Sequence, residues 1–205
     1  WGEKKLALHA VADFDDDGAP EFAISWLDSS GTGGGQCTVL KSDGTQLNGW
    51  PQPCPVGPPM VEDLDADGAP EMVVSGPADS NSGSPGKIMA LNTDGSTLWK
   101  LDLDEWSTAA GPVAFDFERD GRVEIVLATE DAIVILDGPT GQERWSMPRH
   151  SWTGLETPVI ADVDGDGEAE ILVSKGTLPS GETDVSKYTG ILVLGSGEGT
   201  TWASA

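Results

Sequence analysis

A nine-residue acidic loop occurs four times in this chain, at residues 13–21, 63–71, 116–124 and 162–170. Each copy has carboxylates at positions 1, 3, 5 and 9 and a glycine at position 6. The first two are Asp13, Asp15, Asp17, Gly18 and Glu21, then Asp63, Asp65, Asp67, Gly68 and Glu71. The third has Asp116, Glu118, Asp120, Gly121 and Glu124, and the fourth Asp162, Asp164, Asp166, Gly167 and Glu170. One Asp-Gly cluster is ordinary turn chemistry. Four copies with the same acidic positions are different, because that many carboxylates in nine residues repel one another unless a cation lies among them.

The donor set is all oxygen. Carboxylates, joined by the main-chain carbonyl of position 7 (Ala19, Ala69, Arg122 and Glu168), make the flexible shell of roughly six to eight ligands that calcium takes. Magnesium demands a stricter octahedron and zinc prefers His or Cys, so the pattern predicts up to four Ca²⁺ ions. The third site is expected to be the weakest. Glu118 adds a methylene at position 3, and Arg119 and Arg122 bring positive charge to the loop.

An EF-hand would need a bidentate Glu at position 12, where this chain has Ile24, Val74, Leu127 and Val173. The flanks are short β-branched runs instead, so each loop joins two strands. The first aspartates, Asp13, Asp63, Asp116 and Asp162, are 50, 53 and 46 residues apart, a period characteristic of propellers and solenoids. A hairpin follows in each repeat, turning at Asp43-Gly44, Asp94-Gly95, Thr140-Gly141 and Gly197 to Gly199, with Trp50, Trp99, Trp145 and Trp202 at one recurring position. Four strands per repeat make a propeller blade. The expected fold is therefore all-β, a β-propeller of four four-stranded blades over 5–52, 55–104, 108–150 and 155–205. The loops lie between first and second strands, and the recurring tryptophans pack between blades.

These Asp-x-Asp-x-Asp-Gly-x-x-Glu loops resemble those of the FG-GAP/VCBS calcium-binding β-propeller family over nearly the whole chain. Glu at the ninth position of every loop places it nearer the bacterial-type variants than the integrin-like ones. The resemblance implies structural calcium and recognition through the inter-blade connections. Its members commonly carry more blades, and three arrangements stay open for this chain: a closed four-blade ring, a pair of copies, or part of a longer propeller whose boundary falls between blades.

A formal charge of −24 over 205 residues falls to about −16 with four calcium ions bound, which disfavours nucleic acid and anionic membrane surfaces. No segment is apolar enough to be expected to insert into a membrane. Cys37 and Cys54 flank a hairpin and could approach across it, with a disulfide expected over two free buried thiols; that and millimolar-calcium loops point to an extracellular or cell-surface location. For catalysis the chain offers little. His9 and His150 lie in no recognisable motif, and the carboxylates outside the loops (Asp102, Asp104, Glu105, Glu130, Asp131, Glu156) show no paired spacing. Trp106 and Trp152 each stand ten residues ahead of a loop aspartate, where they would either stack on sugar rings or cap the core beneath a connection.

Three functions follow as expectations. The first is a non-catalytic recognition or adhesion module for glycan or extracellular protein. The second is a self-assembling subunit of a surface structure or filament, and the third a fragment of a polysaccharide-degrading enzyme.

Overall fold

The computed structural model describes residues 7–27, 34–77, 86–103, 110–151, 156–174 and 191–195. The described chain is all-β and forms four antiparallel sheets, each a meander in sequence order. The first contains β1 (Ala7–Ala12), β2 (Glu21–Leu27), β3 (Gly35–Leu40) and β4 (Gln52–Pro53). The second contains β5 (Pro59–Glu62), β6 (Glu71–Pro77), β7 (Gly86–Leu91) and β8 (Thr97–Leu103). The third contains β9 (Val113–Phe115), β10 (Glu124–Ala128), β11 (Ala132–Asp137) and β12 (Glu143–Pro148). The fourth contains β13 (Val159–Ala161), β14 (Glu170–Ser174) and β15 (Ile191–Leu194). The strand expected around Trp202 lies outside the described residues, as do Trp106 and Trp152. Among the described residues no sheet closes into a barrel and the fourth sheet does not close on the first. No helix there is long and apolar enough to cross a membrane.

The sheets pack face to face because their second strands are apolar on both sides. Register fixes the alternation: Glu21, Glu71, Glu124 and Glu170 open the four second strands at equivalent places. From there residues point alternately to the preceding and the following sheet. One core joins Ala23, Cys37 and Val39 of the first sheet to Met72, Val74, Met89 and Leu91 of the second. A second joins Val73, Ile88 and Ala90 to Ile125, Leu127 and Leu136. The third joins Val126, Ile133 and Ile135 to Ile171 and Val173.

The tryptophans occupy these interfaces as their recurrence implies. Trp50 Nε1 donates to the Thr93 carbonyl at 2.9 Å and Trp99 Nε1 to the Gly138 carbonyl at 2.7 Å, each reaching the hairpin turn of the following sheet. Trp145 packs against the third core. Gly141 shows how closely the Trp99 ring approaches: its φ is +69°, and a Cβ there would lie 2.6 Å from the ring. Gly141→Ala is therefore expected to destabilise the fold by at least about 2 kcal/mol, combining left-handed strain with overpacking. Gly44→Ala, at φ +83° with no atom near its added methyl, carries the backbone part alone, roughly 1 kcal/mol. Equal melting temperatures for the two variants would show that the Trp99 contact contributes nothing.

One element differs from expectation. The hairpin that turns at Asp43-Gly44 should return through Trp50 as the fourth strand of the first repeat, but that strand is only Gln52–Pro53. Pro51, Pro53 and Pro55 remove the N–H donors that a longer ladder needs. The disulfide supplies what the ladder lacks: Cys37 and Cys54 are bonded, with Cα atoms 5.7 Å apart, and tie the chain after β4 to β3.

Candidate metal centres

Each acidic loop leaves the same end of its sheet, between first and second strands. The position-1 aspartate organises the turn. Asp13 Oδ1 accepts from Asp17 N at 3.2 Å and its Oδ2 from Gly18 N at 2.9 Å, and Asp63 and Asp116 repeat both contacts. Asp162 bonds Gly165 N and Gly167 N instead. At position 5, Asp17, Asp67, Asp120 and Asp166 each accept from the amide two residues on, which closes the turn at position 7. Position 6 is left-handed throughout, with φ between 84° and 91°, which accounts for Gly18, Gly68, Gly121 and Gly167. Position 4 is left-handed as well (Asp16, Ala66, Arg119 and Gly165), and there only the fourth loop uses glycine.

The ninth-position glutamates stand apart from the exposed aspartates. Glu21, Glu71, Glu124 and Glu170 are buried, and each Oε2 accepts from the position-2 amide: Phe14 N at 2.9 Å, Leu64 N at 2.9 Å, Phe117 N at 3.1 Å and Val163 N at 2.8 Å. Burial, reinforced by Asp65, Asp67 and Asp63, pushes the Glu71 carboxyl up to about 7 from an ordinary 4.5.

Among the described residues, ligand oxygens converge within 4.8 Å in three groups: Asp13, Asp15 and Asp17; Asp63, Asp65 and Glu71; and Asp162, Asp164 and Asp166. These donor sets fit a hard, oxygen-seeking ion. The third loop differs, for a reason that lies outside it. Arg144 on β12 reaches over the loop, its Nη2 2.6 Å from Glu118 and its Nη1 hydrogen-bonded to Glu124. The guanidinium thus takes up two of the four carboxylates. Arg119 turns away from its own loop to the fourth, donating to the Gly167 carbonyl and pairing with Glu168 at 3.1 Å. Lys41, at the end of β3, sits across the first loop, 2.5 Å from Asp15 and 3.0 Å from Asp17. These hydrogen bonds hold the Lys41 ammonium well above its usual range. Among the described residues no lysine or arginine pairs with the second cluster, and it alone includes its buried glutamate.

Glu71 gives the metal-free protein a pH dependence. Its folded pKa lies above the ordinary value, so the folded state holds that proton more tightly. Stability is then greatest below pH 4.5 and is lost as the pH rises through about 7. A bound cation favours the ionised form and reverses the slope. Melting temperature in chelator is expected to fall by a few degrees between about pH 5 and 7.5, whereas the stabilisation gained on adding calcium grows over the same interval. Parallel pH profiles with and without calcium would remove Glu71 from the ion's shell.

Of the carboxylates outside the loops, Asp104 and Glu105 lie outside the described residues, and three of the others have charged neighbours. Asp102 pairs with Lys87, and Glu156 with Arg149 at 2.7 Å. His150 Nδ1 lies 3.8 Å from Asp131.

No family model matches the chain, and no curated protein matches it. Solved structures do. The biofilm matrix protein Bap1 of V. cholerae superposes with a TM-score of 0.68 at 15% identity, over 94% of this chain and 57% of that one. Rhamnogalacturonan lyase YesW gives 0.56 at 20% identity over 82% of this chain and 40% of that one. A Bacillus licheniformis rhamnogalacturonan lyase gives 0.55 at 20%, with coverages of 82% and 39%. The chain thus spans little more than half the length of Bap1 and about two fifths of the lyases, and what it shares with them is the fold.

Proposed function

We propose that this chain is a calcium-stabilised recognition module of FG-GAP/VCBS type, its sheets serving as propeller blades and its connections binding glycan or protein outside the cell. The observation that carries the reading is the convergence of three carboxylate clusters at equivalent loops, each above a buried glutamate. Calcium would be held by Asp13, Asp15, Asp17, Glu21 and the Ala19 carbonyl in the first loop, by Asp63, Asp65, Asp67, Glu71 and the Ala69 carbonyl in the second, and by Asp162, Asp164, Asp166, Glu170 and the Glu168 carbonyl in the fourth. In the third loop Asp116, Asp120 and the Arg122 carbonyl compete for it with a guanidinium that already engages Glu118 and Glu124. The ion's role is structural: it neutralises each loop and fixes the end of the sheet from which recognition segments project.

A fold likeness to a biofilm matrix protein and to rhamnogalacturonan lyases supports a polysaccharide-rich setting. Trp106 and Trp152, on inter-blade connections, are the proposed stacking residues. Retention of the purified chain on immobilised neutral and acidic polysaccharides, in calcium and in chelator, tests this directly. Saturable retention on at least one polysaccharide, lost in chelator and without chain cleavage, is expected. Cleavage of a polysaccharide in calcium would turn the assignment to an enzyme, and absence of retention on every polysaccharide would overturn glycan recognition.

A further inference from the structure

The third repeat departs from the others at two places, and the two departures meet. Position 3 of its loop is Glu118 where the other loops have Asp15, Asp65 and Asp164, and the residue ahead of its recurring tryptophan is Arg144 where the second repeat has Leu98. Leu98 and Arg144 are equivalent in the fold as well. Each is the extra residue of a bulge in the last strand of its sheet, opposite Ala90 and Leu91 in the second sheet and opposite Ile135 and Leu136 in the third. A bulge re-aims the side chain it carries. Leu98 packs against the second core, whereas Arg144 extends over the acidic loop of its own sheet.

The backbone of the third loop follows that of the first two. Asp116 and Asp120 make the same turn hydrogen bonds, Arg119 and Gly121 the same left-handed turns, and Glu124 accepts from Phe117 N as Glu71 does from Leu64 N. The carboxylates are engaged differently. Glu71 joins Asp63 and Asp65 in the second cluster, while Glu124 Oε1 accepts from Arg144 Nη1 and Glu118 Oε1 from Arg144 Nη2 at 2.6 Å. The third loop, described in full, forms no group of three converging ligand oxygens. Its contact with Arg144 is also shielded from water, with side-chain exposures of 18% for Arg144, 24% for Glu118 and 5% for Glu124. Charge-assisted hydrogen bonds so placed hold more firmly than a surface ion pair. Lys41 over the first loop is the contrasting case, more exposed than Arg144 and so more readily displaced by an incoming ion.

We propose that Arg144 is the resident cation of the third loop: its guanidinium holds Glu118 and Glu124 together, and the loop takes no calcium. Calcium at the same oxygens would lie against a group of like charge, and expelling Arg144 would break both of its carboxylate contacts. The chain itself thus supplies the positive charge that the other three loops draw from solution. As a result the third loop keeps its shape at calcium concentrations that empty the others, and one of the four loop ends stays fixed in chelator. The inference rests on the calcium reading of the first, second and fourth loops.

Equilibrium dialysis counts the ions bound per chain, in calcium several times above the roughly 10⁻³ M upper dissociation constant of extracellular loops. Wild type is expected to bind three. Arg144→Leu, which matches this position to Leu98 of the second repeat, is expected to bind four, and its melting shift on adding calcium to grow by roughly a third. In that background Asp120→Asn, which keeps the Oδ1 acceptor for Arg122 N, returns the count to three and so places the gained ion in the third loop. Glu118→Gln keeps an acceptor for Arg144 and leaves the wild-type count at three, a result that does not depend on the Arg144 variant folding. The inference is overturned, with calcium left in the other loops, by four ions in wild type or by the loss of one in Glu118→Gln. Three ions in an Arg144→Leu chain that retains the near-ultraviolet signal of buried Trp99 overturn it as well. A wild-type chain that binds none overturns the calcium reading and this inference together.

Discussion

Removing calcium is expected to lower the melting temperature by roughly 8–16 °C. Loops of extracellular type hold calcium with dissociation constants of about 10⁻⁴ to 10⁻³ M. At tenfold saturation each ion stabilises the native state by about 1.4 kcal/mol, so three filled loops contribute about 4 kcal/mol. A domain of this size shifts by about 2–4 °C per kcal/mol. The loss should fall unequally among the loops. Asp65→Ala removes a ligand from the second cluster, which alone includes its glutamate and among the described residues pairs with no lysine or arginine. Asp15→Ala removes one that Lys41 already contacts at 2.5 Å. Glu118→Ala releases Arg144 rather than an ion, and its effect should persist in chelator. Scanning calorimetry of these three variants with and without calcium separates the contributions. A melting temperature unchanged in excess chelator would eliminate structural calcium altogether, and an Asp65→Ala loss that survives in chelator would remove it from the second loop.

The all-β meander sheets were legible because their signals are local and repeated. The acidic loops, the hairpin turns and the recurring tryptophans each fall within a short window, and four copies average out the ambiguity of any one. Charges arriving from elsewhere were not legible. Glu118 and its neighbouring arginines suggested a weak third site, but the residue that engages its carboxylates is Arg144, on another strand, while Arg119 serves the fourth loop. Lys41 lies 24 residues from Asp17 and meets the first loop only because β3 runs beside β2. The short fourth strand of the first sheet could have been anticipated from the prolines at 51, 53 and 55, which outweigh a hairpin pattern. Glu156 looked like a spare carboxylate in the sequence. In the structure it belongs to the seam between the third and fourth sheets.

Arg149→Met is expected to destabilise the fold by about 3–5 kcal/mol, or roughly 6–20 °C in melting temperature. The Arg149 side chain is 4% exposed and sits where the last two sheets meet. Its Nε donates to the Thr129 carbonyl just past β10 at 2.7 Å, and its Nη1 to the Ser174 carbonyl at the end of β14 at 3.3 Å. The same Nη1 pairs with Glu156 at 2.7 Å, and Ser151 Oγ donates to that carboxylate oxygen at 2.6 Å. One guanidinium therefore joins carbonyls of two sheets and neutralises the carboxylate on the connection between them. Methionine fills much of the same volume but leaves Glu156 charged and largely buried, and breaking such a pair from one side is far more damaging than replacing both partners. Glu156→Gln retains an acceptor for Arg149 and Ser151, so it should cost about 1–2 kcal/mol. The double variant Arg149→Met with Glu156→Leu should recover about half of the single Arg149→Met loss, since both charges of the pair are then removed. Urea titration of the three variants measures these differences. A loss below about 1 kcal/mol for Arg149→Met would mean that apolar packing of Val126, Ile133 and Ile135 against Ile171 and Val173 holds the seam by itself. A double variant no more stable than Arg149→Met would assign the loss to the two carbonyls rather than to Glu156.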